Sequence, residues 1–167
     1  FIEKVTLELH LKSSEVNSDD IAVFAPALKN WKKIFQISGD AKGTIQDFKA
    51  KNLLVSTGNS SFNGNLSMAG LPDLNSTFID LKATELQTNN NDLSLIIPGI
   101  KNSKVAFHKL GKIKYTGTFT GFPKDFVAYG TFQTSLGNFT SDLNMKLQNG
   151  KDPVYSGRLF TGGFNIG

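Results

Sequence analysis

The sequence predicts an all-β protein of short antiparallel strands, and three observations carry that prediction. Apolar and polar residues alternate with a period of two over most of the 167 residues. Turn-forming clusters interrupt the alternation at short intervals. The composition is rich in Gly (16) and Phe (14), with many Asn, Ser and Thr, yet only 39% hydrophobic, as expected of strands with one apolar face joined by polar turns.

Taken in order, residues 4–12, "KVTLELHLK", set Val5, Leu7, Leu9 and Leu11 on one face and Thr6, Glu8 and His10 on the other, a half-buried strand. The stretch "NSDDIAVFAPALKNWKKIF" predicts one short helical segment near residues 18–35. Ser18 is placed to cap it, Asp19 and Asp20 suit the positive N-terminal end, and Ile21, Phe24, Leu28 and Trp31 follow helical spacing, with Pro26 dividing the segment in two. In "LKNWKK", Trp31 is expected to pack on the sheet while Lys29, Lys32 and Lys33 reach outward.

From Gln36 onward strands follow at 36–45, 47–57, 60–69, 76–86, 111–121, 125–135, 138–148 and 154–161, joined by "STGNSS", "AGLPDLNS", "TNNND", "GFPKD", "SLGN" and "QNGKDP". Such short joints make neighbouring strands antiparallel hairpin partners. The exception is "DLSLII" before Pro98, which reads as a short helix or a connection crossing the sheet.

A weak repeat runs through these strands: glycine, any residue, then a large apolar residue, as in Gly43-Thr44-Ile45, Gly64-Asn65-Leu66, Gly117-Thr118-Phe119, Gly130-Thr131-Phe132 and Gly157-Arg158-Leu159. Side chains two apart share a strand face, so these glycines belong to the apolar surface. Interior glycine marks a bulge, a sharp bend or a close approach to the backbone. A sheet bent into a U with a chain-like ligand inside it accounts for this, and so does a closed β-sandwich whose glycines relieve twist. An outer-membrane barrel fits less well, because the aromatics are not gathered into girdles.

Nothing in the sequence assembles an active site. Cysteine is absent, His10 and His108 read as surface residues, and the Asp19–Asp20 pair sits where a helix start attracts acids. The nucleophile-elbow, phosphate-loop and dinucleotide-binding patterns are missing, so the expectation is a protein that is not an enzyme and takes no cofactor or metal. The net charge of +4 comes from scattered lysines with a mild cluster at Lys101, Lys104, Lys109, Lys112 and Lys114, which reads as a solvated face and not as a nucleic-acid site. No run of about 18 apolar residues marks a spanning helix.

The phrases "DIAVFAPALKNW", "GLPDLNSTFIDL", "GTFTGFPKDFVAYGTFQTSLGNFTSDL" and "YSGRLFTGGFNIG" resemble, in order and spacing, a segment of the TamB family of the AsmA-like superfamily of Gram-negative envelopes. The likeness covers residues 18 to 167. It implies an elongated, curled antiparallel sheet, a U-shaped β-groove or "β-taco", with residues 1–167 a single fragment of a long repeating domain. It further implies a periplasmic location within an inner-membrane-anchored parent that reaches a TamA-type outer-membrane barrel. The implied work is conduction of phospholipid acyl chains between the membranes and support of outer-membrane protein assembly, with nascent outer-membrane proteins as further partners. The family has no catalytic residues. The positions matching its lipid-groove lining are Leu7, Leu9, Phe62, Leu66, Met68, Ile79, Leu81, Tyr115, Phe119, Phe132, Phe139, Leu143, Met145 and Leu159. A β-strand-pairing scaffold or chaperone for outer-membrane proteins, or a closed sandwich acting as a surface-binding module, are the alternative readings.

Overall fold

A computed structural model describes residues 5–22, 29, 31–96, 107–146 and 154–163. Its strands are β1 (Leu7–Asn17), β2 (Ile34–Gly43), β3 (Asp47–Thr57), β4 (Ser60–Ala69), β5 (Phe78–Asn89), β6 (Lys112–Phe122), β7 (Asp125–Thr134), β8 (Gly137–Lys146) and β9 (Val154–Gly162). They form one nine-stranded sheet in chain order, every neighbouring pair antiparallel, with β1 and β9 at opposite edges. Among the described residues the sheet is neither closed into a barrel nor covered by a second sheet, and the predicted all-β curled sheet holds.

Several joints are as short as the turn residues allow. Thr57 pairs with Ser60, Phe122 with Asp125 and Thr134 with Gly137, leaving only two residues to reverse the chain. Two connections are long, from β1 to β2 and from β5 to β6. Alternate strands run the same way, so both lie at one end of the sheet, which we call the upper end.

The helical predictions need correction. The first helix, α1, covers Ser18–Ile21, and β2 has already begun at Ile34, inside the predicted helical span. Phe24, Pro26 and Leu28 lie outside the described residues. Asn17, not Ser18, caps α1: its side chain accepts the Asp19 N–H at 3.0 Å. Ser18 instead is fully buried and makes a reciprocal pair with Lys33, its N–H donating to the Lys33 carbonyl at 2.8 Å and its Oγ accepting the Lys33 N–H at 3.1 Å. A buried hydroxyl needs such a partner, and the strand start supplies one. The described part of "DLSLII", residues 92–96, lies in a helix, α2 (Asn90–Ile96). The 3₁₀ turns at Leu74–Ser76 and Phe107–Leu110, which alternation does not signal, precede β5 and β6. Ile45 of the first glycine repeat falls in the turn after β2.

The two faces differ as alternation requires. The outer face carries directly opposed charge pairs, His10–Asp40 (2.7 Å), Glu8–Lys42 (3.3 Å) and Asp125–Lys146 (3.1 Å), with the Thr131–Thr140 hydroxyl pair beside them. These pairs are solvent-exposed, so each fixes register more than it adds stability. The opposite face is apolar and concave.

Candidate functional site

Residues directly opposed in an antiparallel ladder share a face, so the register converts the sequence into rows running across the sheet. Nearest the lower end, Leu7, Gly43, Phe48, Met68, Ile79, Gly121, Phe126, Met145 and Tyr155 stand in line across all nine strands. A second row follows the same path through Leu9, Ala41, Ala50, Leu66, Leu81, Phe119, Ala128, Leu143 and Gly157. Above the middle of the sheet an aromatic row contains Val55, Phe62, Leu86, Tyr115, Phe132 and Phe139.

Between these large residues lies a row of small ones: Gly64, Ala83, Gly117, Gly130 and Ser141, flanked by Leu53 and Leu159. Gly64, Ala83, Gly130 and Ser141 are buried while the phenylalanines on either side are only half-buried. Small residues buried between large, half-exposed ones mark the floor of a fold in the sheet.

The fold is made in two ways. From β1 to β6 the pairing register shifts beside this row, between Leu11 and Ser14, Ser38 and Asp40, Ala50 and Leu53, Asn63 and Gly64, and Ala83 and Leu86. Bulges bend the strands that carry them. From β6 to β9 the register runs without a shift, and Gly117 opposite Gly130 takes over. A Cβ added to Gly117 would lie 2.6 Å from the Gly130 Cα and 2.8 Å from the Tyr115 hydroxyl. The backbones meet too closely for any side chain, which is the physical need that only glycine meets.

Tyr115 spans this crease. Its hydroxyl donates to the Thr118 carbonyl at 2.7 Å, with the Tyr129 carbonyl at 3.0 Å as the alternative acceptor, and its ring lies against the Gly130 Cα hydrogens. The side chain is 7% exposed, and burial pushes the phenol pKa up to about 12. Tyr115 also begins an aromatic wall: its centroid is 4.6 Å from Phe132, and Phe132 stacks on Phe139 at 4.7 Å with planes 11° apart. On the facing wall Phe119 lies 4.5 Å from Phe126.

Together the walls and the crease enclose a groove with a cavity of about 850 Å³. This is within the roughly 300–1,000 Å³ that small-molecule sites occupy. Eight interstrand steps of about 4.8 Å give the apolar face a length of roughly 38 Å before twist is allowed for.

The register sets every sequence-selected position on this one face. Phe62, Leu81, Tyr115, Phe119, Phe132, Phe139, Leu143, Met145 and Leu159 line the cavity itself. Leu7, Leu9, Leu66, Met68 and Ile79 share the face but continue it toward β1, outside the cavity lining. Sequence reasoning missed Val55, Leu86, Phe126 and Ile113. Phe126 follows the same alternation as Phe132 and was open to the same counting. Val55 and Leu86 were hidden by the bulges below them, which move the apolar set to the other parity.

Sequence reasoning also missed a polar group at the upper lip. Thr57, Ser60 and Thr88 stand at or next to the upper ends of their strands and line the cavity. The Lys33 ammonium stands 3.4 Å from Asp92 Oδ1, and Ser60 Oγ donates to Asp92 Oδ2 at 2.8 Å while lying 3.0 Å from Thr88 Oγ1. Thr57 Oγ1 is buried and has no hydrogen-bond partner among the described residues. Trp31 does pack inward, 6.3 Å from Phe35, and Lys29 and Lys32 are exposed as predicted, but Lys33 turns into the groove. Of the lysine cluster, Lys109 and Lys112 are exposed, and Lys101 and Lys104 lie outside the described residues.

No protein-family model matches this chain, and neither the curated proteins nor the solved structures compared with it give a significant match.

Proposed function

We propose that this chain is a segment of a lipid conduit, a TamB-like β-groove that carries phospholipid acyl chains between the inner and outer membranes of a Gram-negative envelope. One observation carries the reading: two rows of groove-face residues run across all nine strands without a charged side chain and without a covering layer among the described residues. An apolar sheet face ordinarily packs against a second layer. Here the face is half-exposed, with Leu159 at 63% and Phe119, Phe132 and Phe139 intermediate.

A chain lying along these rows would gain about 0.8 kcal/mol per buried CH₂. The walls repeat from strand to strand, so that gain changes little as the chain slides. Binding would therefore be firm and movement along the groove easy. The TamB resemblance supplies the setting: a periplasmic stretch of an inner-membrane-anchored parent, with a TamA-type barrel as its outer-membrane partner and a supporting role in outer-membrane protein assembly.

A second reading, a strand-pairing scaffold, is favoured by β9. This strand is exposed along its whole length, has no proline and no register shift, and shows Val154, Tyr155 and Phe160 to solvent. Such an edge is a template for another strand. Native mass spectrometry separates the two readings. The conduit predicts co-purified lipid on the wild-type chain and its loss in Phe119→Asp, which sets a carboxylate in the middle of the lower wall. A lipid-free wild-type chain that captures extended peptides would favour the scaffold.

A further inference from the structure

The two lips of the groove differ in chemistry. The end row of the lower one, Phe48, Met68, Ile79, Phe126 and Met145, carries no charged side chain, and the charges in the turns beyond it, Asp73 and Lys124, are not among the residues that line the cavity. At the upper one a half-buried cation and anion face each other over the β3–β4 turn, backed by hydroxyls. Lys33 is 31% and Asp92 14% exposed, and their 3.4 Å separation is longer than the roughly 2.7–2.9 Å of a tight charge-assisted bond.

Both groups are held in place by their own surroundings. Lys33 is fixed through its backbone by Ser18, and Asp92 through its N–H, which donates to Asn89 Oδ1 at 2.9 Å, and through Ser60. Gly58 lies directly beneath them: a Cβ there would be in van der Waals contact with both, 3.6 Å from Lys33 Nζ and 3.9 Å from Asp92 Oδ2, so the missing side chain leaves about a methyl's room. Beside that space is the unpartnered Thr57 hydroxyl, and the same cavity continues without interruption to Tyr115 and Phe132.

We propose that this lip is a head-group station for a zwitterionic amphiphile. The anionic group would sit on the Lys33 ammonium, the cationic group on the Asp92 carboxylate, and the chains on the Tyr115–Phe132–Phe139 wall. At this lip one charge of each sign selects the class: a purely anionic head meets Asp92, a purely cationic head meets Lys33, and an uncharged head leaves the protein pair to itself. The cavity's other charged residue, Arg158, stands in mid-strand on β9 opposite Asp142. The inference rests on the lipid reading of the groove and adds to it a fixed orientation, head at the upper lip.

The test incubates the purified 167-residue chain with vesicles containing phosphatidylethanolamine, phosphatidylglycerol and diacylglycerol of identical acyl chains at equal mole fraction, and reads bound lipid by native mass spectrometry. Phosphatidylethanolamine is expected to be retained about tenfold over diacylglycerol, the scale of a charge-assisted contact, and to exceed phosphatidylglycerol. Lys33→Gln and Asp92→Asn should each abolish most of that preference, lowering phosphatidylethanolamine retention more than diacylglycerol retention. Equal retention of the three lipids by the wild type, a preference for phosphatidylglycerol, or variants that keep the wild-type ranking would overturn the station. The wild-type ranking decides the matter even if a variant fails to fold. Excess glycerophosphoethanolamine, which has the head and no chains, should leave bound lipid in place, and displacement by it would overturn the amphiphile assignment. Failure to bind any of the three lipids would instead remove the groove reading on which the station stands.

Discussion

Replacing Gly130 by alanine separates two accounts of the groove by the sign of the effect. Gly130 does not hold a left-handed φ, so alanine can take its backbone conformation. If the glycine were only a weak point in a strand, alanine would stabilise the protein by about 0.4–1 kcal/mol, through a stiffer unfolded chain. The crease predicts the opposite. The new Cβ would lie 2.5 Å from Tyr115 Cε2 and 2.9 Å from the Gly117 Cα, and the second of these is backbone that cannot swing away. Overpacking of this kind costs about 1–3 kcal/mol. Moving the Tyr115 ring to relieve it also breaks the hydroxyl bond to the Thr118 carbonyl, a further loss of about 1 kcal/mol. Set against the unfolded-state gain, the net expectation is destabilisation of about 1–3.5 kcal/mol, read as a lower midpoint in urea unfolding at unchanged slope. A G130A chain as stable as the wild type, or more so, would refute the argument that the small-residue row is where the sheet folds.

Other outcomes follow from the same structure. His10 should titrate above its ordinary 6.5 because Asp40 accepts its hydrogen bond and faces it with negative charge, and Asp40→Asn should bring the NMR midpoint back down. With the folded pKa raised, the pair's contribution is complete below pH 6.5 and is lost as pH rises through the folded value; on the acid side it is lost as Asp40, held below 3.8 first by the same hydrogen bond, protonates. Tyr115 should ionise near pH 12 in a spectrophotometric titration of the folded chain, above the ordinary 10.0 because the phenol is buried. Its stabilising effect is present below pH 10.0 and falls as pH rises toward 12. Tyr115→Phe removes that late transition and should cost about 0.5–1.5 kcal/mol, because the bent backbone loses a donor while the ring remains.

How much of this was legible in the sequence depends on how local each cause is. Period-two alternation found every strand, because each strand states its own pattern. It also found one face of the groove, since Leu66, Phe119, Phe132 and Leu143 lie in stretches where counting by twos is not interrupted. The glycines of "YTGTFTG" announced a bend but not its line, which exists only once Gly117 is set opposite Gly130 and Gly64 opposite Ala83. Bulges defeated the counting at Val55 and Leu86, where an extra residue on one strand leaves no trace in the alternation of its neighbour. The polar lip was beyond reach for a different reason. Lys33 and Asp92 are 59 residues apart and meet because two long connections leave the same end of the sheet, a matter of strand order and not of motif.

Photo-crosslinking from the two faces of one strand tests the central claim most directly. A photoreactive phenylalanine analogue replaces Phe132, which faces the groove, or Tyr129, which is 59% exposed on the outer face three residues away. Irradiated in the presence of phospholipid vesicles, the chain should give a lipid adduct from position 132 and little from 129. No adduct at 132, or adducts of equal yield from both faces, would contradict the account of this sheet as a groove that holds lipid.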